Sequence, residues 1–121
     1  MTDWFESLPT QCPPADARDP NGQAFYRLVV DDPAISDYFR PTQPRGNNFV
    51  NIDSCILMSV SVWNNVEACE KQKKFPTHRN KKVAVVLLNA QDGLVKQTFG
   101  AGHYSWWRSN QFDPSKCVVE K

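Results

Sequence analysis

The 121-residue sequence holds no apolar run near the roughly 18 residues that a membrane-spanning helix needs. Its start, MTDWFESLPTQCPP, is acidic and has no apolar core of the kind that directs export, so no signal peptide is expected and the chain reads as cytoplasmic. There is no excess of either charge: 14 basic residues face 13 acidic ones, a net charge of +1. That balance gives no bulk electrostatic reason for a nucleic acid or an anionic membrane as partner. No C-x-x-C pair occurs among Cys12, Cys55, Cys69 and Cys117, and the two histidines lie far apart, so no metal site is expected. In a reducing compartment four free thiols are the default, with Cys55 and Cys69 reading as small core residues. The phosphate-binding loops G-x-x-x-x-G-K-[ST] and G-x-G-x-x-G are missing, as are G-x-S-x-G and H-E-x-x-H. Repeats and low-complexity tracts are also lacking.

What is present is aromatic. Four Trp and seven Phe predict a partly aromatic core. Residues 1–24, with four prolines and the turn DPNG, read as an N-terminal arm; residues 25–121 read as one domain. FYRLVV (25–30) alternates as a strand with Phe25, Arg27 and Val29 on one face. DDPAISDYFR suggests a short helix, with Asp32 as its cap and Ile35, Tyr38 and Phe39 on its buried side. FVNID suggests a short edge strand. SCILMSVSVW (54–63) alternates as one long strand, with Ile56, Met58, Val60 and Val62 toward the core. The following segment begins a second helix, where Asn64 and Glu67 form a capping box. KKVAVVLLNA is a strand apolar on both faces, expected centrally, with LVKQTF as its hairpin partner across QDG. HYSWWR and KCVV complete the set. The class expected is α+β: a mixed or mostly antiparallel sheet of about five to six strands with two short helices.

Four places carry candidate chemistry. Arg27 points inward among apolar neighbours and needs an anionic partner, either a carboxylate of the Asp31–Asp32 pair or a ligand phosphate. Ser59 and Ser61 share a strand face beside Trp63 and can form a pocket floor. His103 follows the Gly100–Gly102 turn and titrates near neutrality. Trp106 and Trp107 put one indole on each side of the sheet, one of them core and the other able to stack a base or nicotinamide. A fifth feature, KQKKFPTHRNKK (71–82), has seven basic residues in twelve and can meet phosphates or simply be a solvated helix end.

The series FYRLV, ISDYFR, SVSVWNNVEAC, VAVVLLNAQDGLV and GHYSWW resembles a class of small uncharacterised bacterial proteins over residues 25–107, which implies a bacterial intracellular origin. The chain is also similar to the ADP-ribosyltransferase-like fold. That resemblance implies a nucleotide or NAD ligand, with Arg27 on its phosphates, Ser59 and Ser61 at a ribose, His103 at the reacting centre and Trp107 stacking. Where that group carries a late-strand Glu, this chain offers Gln97, Thr98 and His103, which leaves nucleotide binding rather than transfer as the implication. The alternative is a non-enzymatic module for a protein partner, and a second alternative is nucleic-acid binding through 71–82.

Overall fold

The computed structural model describes residues 3–39, 41, 54–98 and 100–120. They form an α+β fold dominated by one antiparallel sheet of six strands, in the order β4-β5-β2-β1-β3-β6. The strands are β1 (Gln23–Val29), β2 (Val60–Trp63), β3 (Lys82–Leu88), β4 (Gly93–Gln97), β5 (His103–Arg108) and β6 (Val118–Val119). Two α-helices, α1 (Ser54–Leu57) and α2 (Val66–Lys71), join short 3-10 turns in the connections.

Strand pairing sorts the side chains onto two faces. Arg27 stands opposite Ala84, Val62 opposite Tyr104 and Val60 opposite Trp106. With Phe25, Val29, Val86, Leu88, Val95 and Val119 these positions make the inner face, where the main core cluster sits. Phe39 and Phe112 cover it, each edge-on to Trp106 and to one another. The other face carries Tyr26, Ser61, Trp63, His103, Ser105 and Trp107, as the pairs Tyr26–Trp63, Ser61–Ser105 and Trp63–His103 require. Lys73, just past α2, bonds Glu120 on this outer face and so places α2 over it.

The sheet curls. β3 and β4 stand fifth and first in the strand order, yet only residues 89–92 separate them. Four strand spacings laid flat are about 19 Å, whereas five residue steps reach about 17 Å at full extension. Residues Ala90–Asp92 are also wound into a 3-10 turn, which shortens that reach further. Arg18, just before β1, closes the curl by exchanging two backbone hydrogen bonds with Val95 of β4.

Several expectations are corrected. Residues 54–63 are not one strand: 54–57 form α1, the chain turns, and β2 starts at Val60, leaving Ile56 and Met58 only partly buried. The Cys55 carbonyl explains the break, since it accepts from Met58 N within the turn and from the Trp107 indole. DDPAISDYFR forms a single 3-10 turn, Ser36–Phe39, and Ile35 is exposed. Its Ser36 and Tyr38 carbonyls are taken by Arg108 and Arg27, so they do not serve a helical ladder. The second helix is capped by Asn65, whose side chain accepts from Ala68 N, while Asn64 accepts from Asn65. β3 is flanked by β1 and β6, and β4 pairs with β5 instead of returning on β3. Cys12 and Cys55 are joined as a disulfide; Cys69 and Cys117 are free. The edge strand expected at FVNID lies outside the described residues. No described helix is long and apolar enough to cross a membrane.

Candidate functional site

The five candidate residues divide between the two sides of the sheet. Arg27 is on the inner face, as its alternation with Phe25 and Val29 predicts. It meets carbonyls: Nε donates to Tyr38 O at 2.8 Å and Nη1 to Ser61 O at 2.6 Å. The guanidinium also lies over the Phe39 ring, 5.8 Å from its centroid. Asp31, offered above as a carboxylate partner, pairs with Lys82. Buried charge is thus spread over main-chain dipoles and an aromatic face, which fixes the Ser36–Phe39 turn against the core.

Ser61 and His103 are on the outer face, across the sheet from the Arg27 side chain. His103 is buried beside β4. Its Nδ1 is 3.1 Å from both the hydroxyl and the carbonyl of Thr98, and Thr98 Oγ1 is 2.9 Å from Ser105 Oγ. A proton on Nδ1 satisfies the Thr98 carbonyl and leaves the Thr98 hydroxyl to donate to Ser105. Trp63 stands edge-on to the imidazole at 4.8 Å. Burial holds the His103 pKa below its ordinary value; the Thr98 carbonyl opposes this and the Arg27 charge adds to it. The ring is therefore a neutral, oriented member of a hydroxyl chain. Ser105, at the end of that chain, is 1% exposed and offers no reachable nucleophile. Thr98 enters the sequence reading only as one of the residues standing where a late-strand Glu would be, and Ser105 does not enter it as a site residue; both flank the GAG turn at strand spacing.

Ser59 is in the turn between α1 and β2, where its hydroxyl donates to Ile56 O at 2.6 Å. Trp106 is the core indole and donates to Asp92 O; Trp107, on the outer face, donates to Cys55 O at 2.8 Å and is buried. Ser61 and His103 thus share a face with Trp107, while Arg27 and Ser59 are held elsewhere. In the basic run, Lys73 is paired with Glu120 and Lys82 with Asp31. Lys71, Lys74 and Arg79 remain exposed, with Lys74 over the exposed Phe75 ring.

A second inward arginine has the larger structural role. Arg108 forms a bidentate pair with Glu6, Nε to Oε1 at 3.2 Å and Nη2 to Oε2 at 2.5 Å, and its Nη1 donates to Ser36 O at 2.9 Å. It lies 3.8 Å from the Phe5 ring centroid. Together with the Trp4–Ser109 bridge and the Cys12–Cys55 bond, it fastens residues 3–20 to the body.

One hollow of about 120 Å³ opens where the chain leaves β3, between the turn Ala90–Asp92 and the turn Pro114–Lys116. Asp92 and Phe112 form its depth, and Leu87, Asn89, Asp113 and Lys116 its rim. Among the described residues no group of three or more His, Cys, Asp or Glu is placed to hold a metal ion. Comparison with protein-family models, curated proteins and solved structures gives no match.

Proposed function

We propose that the protein is a non-enzymatic binding module that meets a protein partner along β3 and β6. The observation that carries this reading is an apolar pair at an open sheet edge. Val118 stands opposite Val85, which puts it on the same outer face as Leu87. The two are 68% and 57% exposed. β6 is the last strand of the sheet, and no strand among the described residues pairs with its outer side. An edge strand flanked by exposed apolar side chains is suited to adding a partner's extended segment.

We favour this over the nucleotide or NAD pocket that the family resemblance implies. Arg27 is occupied by carbonyls on the inner face, and Trp107 is buried beneath α1, where neither serves a phosphate or a base. Site-specific photo-crosslinking tests the reading. A photoreactive side chain at Leu87 or at Val118 is expected to trap one and the same partner species, and one at Gln97 on the opposite edge is not. Titration with NAD is the counter-test: saturable amide shifts at Arg27, Ser61 and His103 would restore the nucleotide reading, and the absence of any cross-link specific to β3 and β6 would remove this one.

A further inference from the structure

We infer that the Cys12–Cys55 bond is a redox-sensitive latch: it holds α1 closed over Trp107, and a dithiol reductant opens it while the rest of the fold stays in place. The disulfide joins the N-terminal arm to the single turn Ser54–Leu57. A helix of 4 residues cannot stand by itself, because nucleation costs more than one turn returns. α1 therefore keeps its place through what it is tied to. Cys55 is bonded through its sulfur to Cys12 and through its carbonyl to the Trp107 indole, at 2.8 Å. Trp107 beneath it is 1% exposed.

The two sides of the bond are unequally fixed. Cys12 belongs to a stretch anchored both before and after it. Glu6 pairs with Arg108, and Arg18 exchanges two backbone hydrogen bonds with Val95. Cutting the disulfide leaves both anchors in place. On the α1 side, the hydrogen bonds from Met58 N to Cys55 O and from Ser59 to Ile56 O stay within the turn itself. The loss therefore falls on α1 and on the indole bond it accepts, not on the arm or the sheet.

The chemistry is thiol–disulfide exchange. Cys12 is half-buried and Cys55 is 9% exposed, so an incoming thiolate reaches Cys12 first. Its attack breaks the S–S bond, forms a mixed disulfide on Cys12 and releases Cys55 as a thiolate, which takes a proton from water. The second thiolate of the reductant then displaces Cys12, which is protonated in turn. The reductant leaves as its own disulfide, having passed two electrons to the protein. The other cysteines do not interfere. Burial above all pushes the Cys69 and Cys117 thiols up to about 12, so neither supplies a thiolate to scramble the opened pair. Oxidising surroundings shut the latch and reducing ones open it. It does not rest on the partner reading, which concerns β3 and β6.

Hydrogen exchange at the indole nitrogens, followed by NMR on the full chain in native buffer, tests this. Trp107 Nε1–H reports on α1. Trp106 Nε1–H, which donates to Asp92 O in the core, reports on the sheet. Excess dithiothreitol is expected to speed exchange at Trp107 about tenfold or more, while Trp106 changes less than about twofold. A Cys12→Ser, Cys55→Ser double variant should show the fast Trp107 exchange without reductant and no further response to it. Equal acceleration of both indoles, as a merely stabilising cross-link would give, overturns the latch. So does unchanged Trp107 exchange once iodoacetamide labelling and mass measurement show both cysteines reduced, and so does a bond that dithiothreitol leaves intact. Where the double variant does not fold, the wild type decides: on reoxidation Trp107 exchange must return to its slow value, and a failure to return overturns the inference.

Discussion

Arg27 and Arg108 both point into the core, and each is answered differently. Arg27 donates to two carbonyls and lies over the Phe39 ring; Arg108 is ion-paired with Glu6, and both members of that pair are largely buried. Removing one member of such a pair leaves a charge without compensation, which costs about 3–5 kcal/mol. Glu6→Ala should therefore lower unfolding stability by about that amount, far more than an exposed pair such as Lys96–Asp16 would lose. Urea denaturation of Glu6→Ala and Asp16→Ala side by side checks it. His103 gives a prediction in pH. Its folded pKa lies below the ordinary value of 6.5, so the unfolded chain takes up the proton first as pH falls. The neutral histidine thus costs nothing above that value. Stability declines as pH drops from about 6.5 toward the lower folded pKa, and the decline ends once both states are protonated. A His103→Gln variant should lose this segment of the pH–stability profile, measured by thermal melts between pH 7 and 4.

The elements readable from sequence were those whose signal is local. β1 alternates cleanly, β3 is a continuous apolar run and β5 an aromatic one, and the neighbours of Arg27 alone place it inward. The failures share a non-local cause. Ser54–Leu57 alternates as well as any strand, and it is bent into α1 by bonds to residues far along the chain: Cys12 and Trp107. The Ser36–Phe39 turn is shaped by two arginines from other strands. The β3–β4 hairpin failed because Asn89 and Asp92 build a capping box that redirects the chain toward β5. The same blindness kept the candidate residues from being sorted correctly, since register decides which face each occupies. Two variants probe these joints. Asn65→Ala removes the α2 cap and should cost about 1 kcal/mol. Gly93 has φ +128°, and a Cβ there would stand 2.0 Å from the Trp107 carbonyl. Gly93→Ala should therefore destabilise by more than the cap variant, with the loss visible as a lower melting temperature.

For the molecule as a whole, the arm is a structural member. It reaches the body through Glu6, Arg18 and Cys12, three points spread over its length. The disulfide closes a loop with a sequence separation of 43. By chain entropy that cross-link is worth about 4 kcal/mol. A Cys12→Ser, Cys55→Ser double variant should lose about that much, and the wild type should lose the same when denatured in excess dithiol. Such a bond persists where the surroundings are oxidising.

The curl also bears on how this protein can self-associate. At one margin β4 is met by Arg18, and at the other β6 stops after two residues. Runaway polymerisation by strand addition requires two receptive borders per copy, so that each newcomer presents a fresh template to the next. With a single short border among the described residues, one copy can cap another and growth then halts. Concentrated solutions should accordingly yield dimers at most, not fibrils.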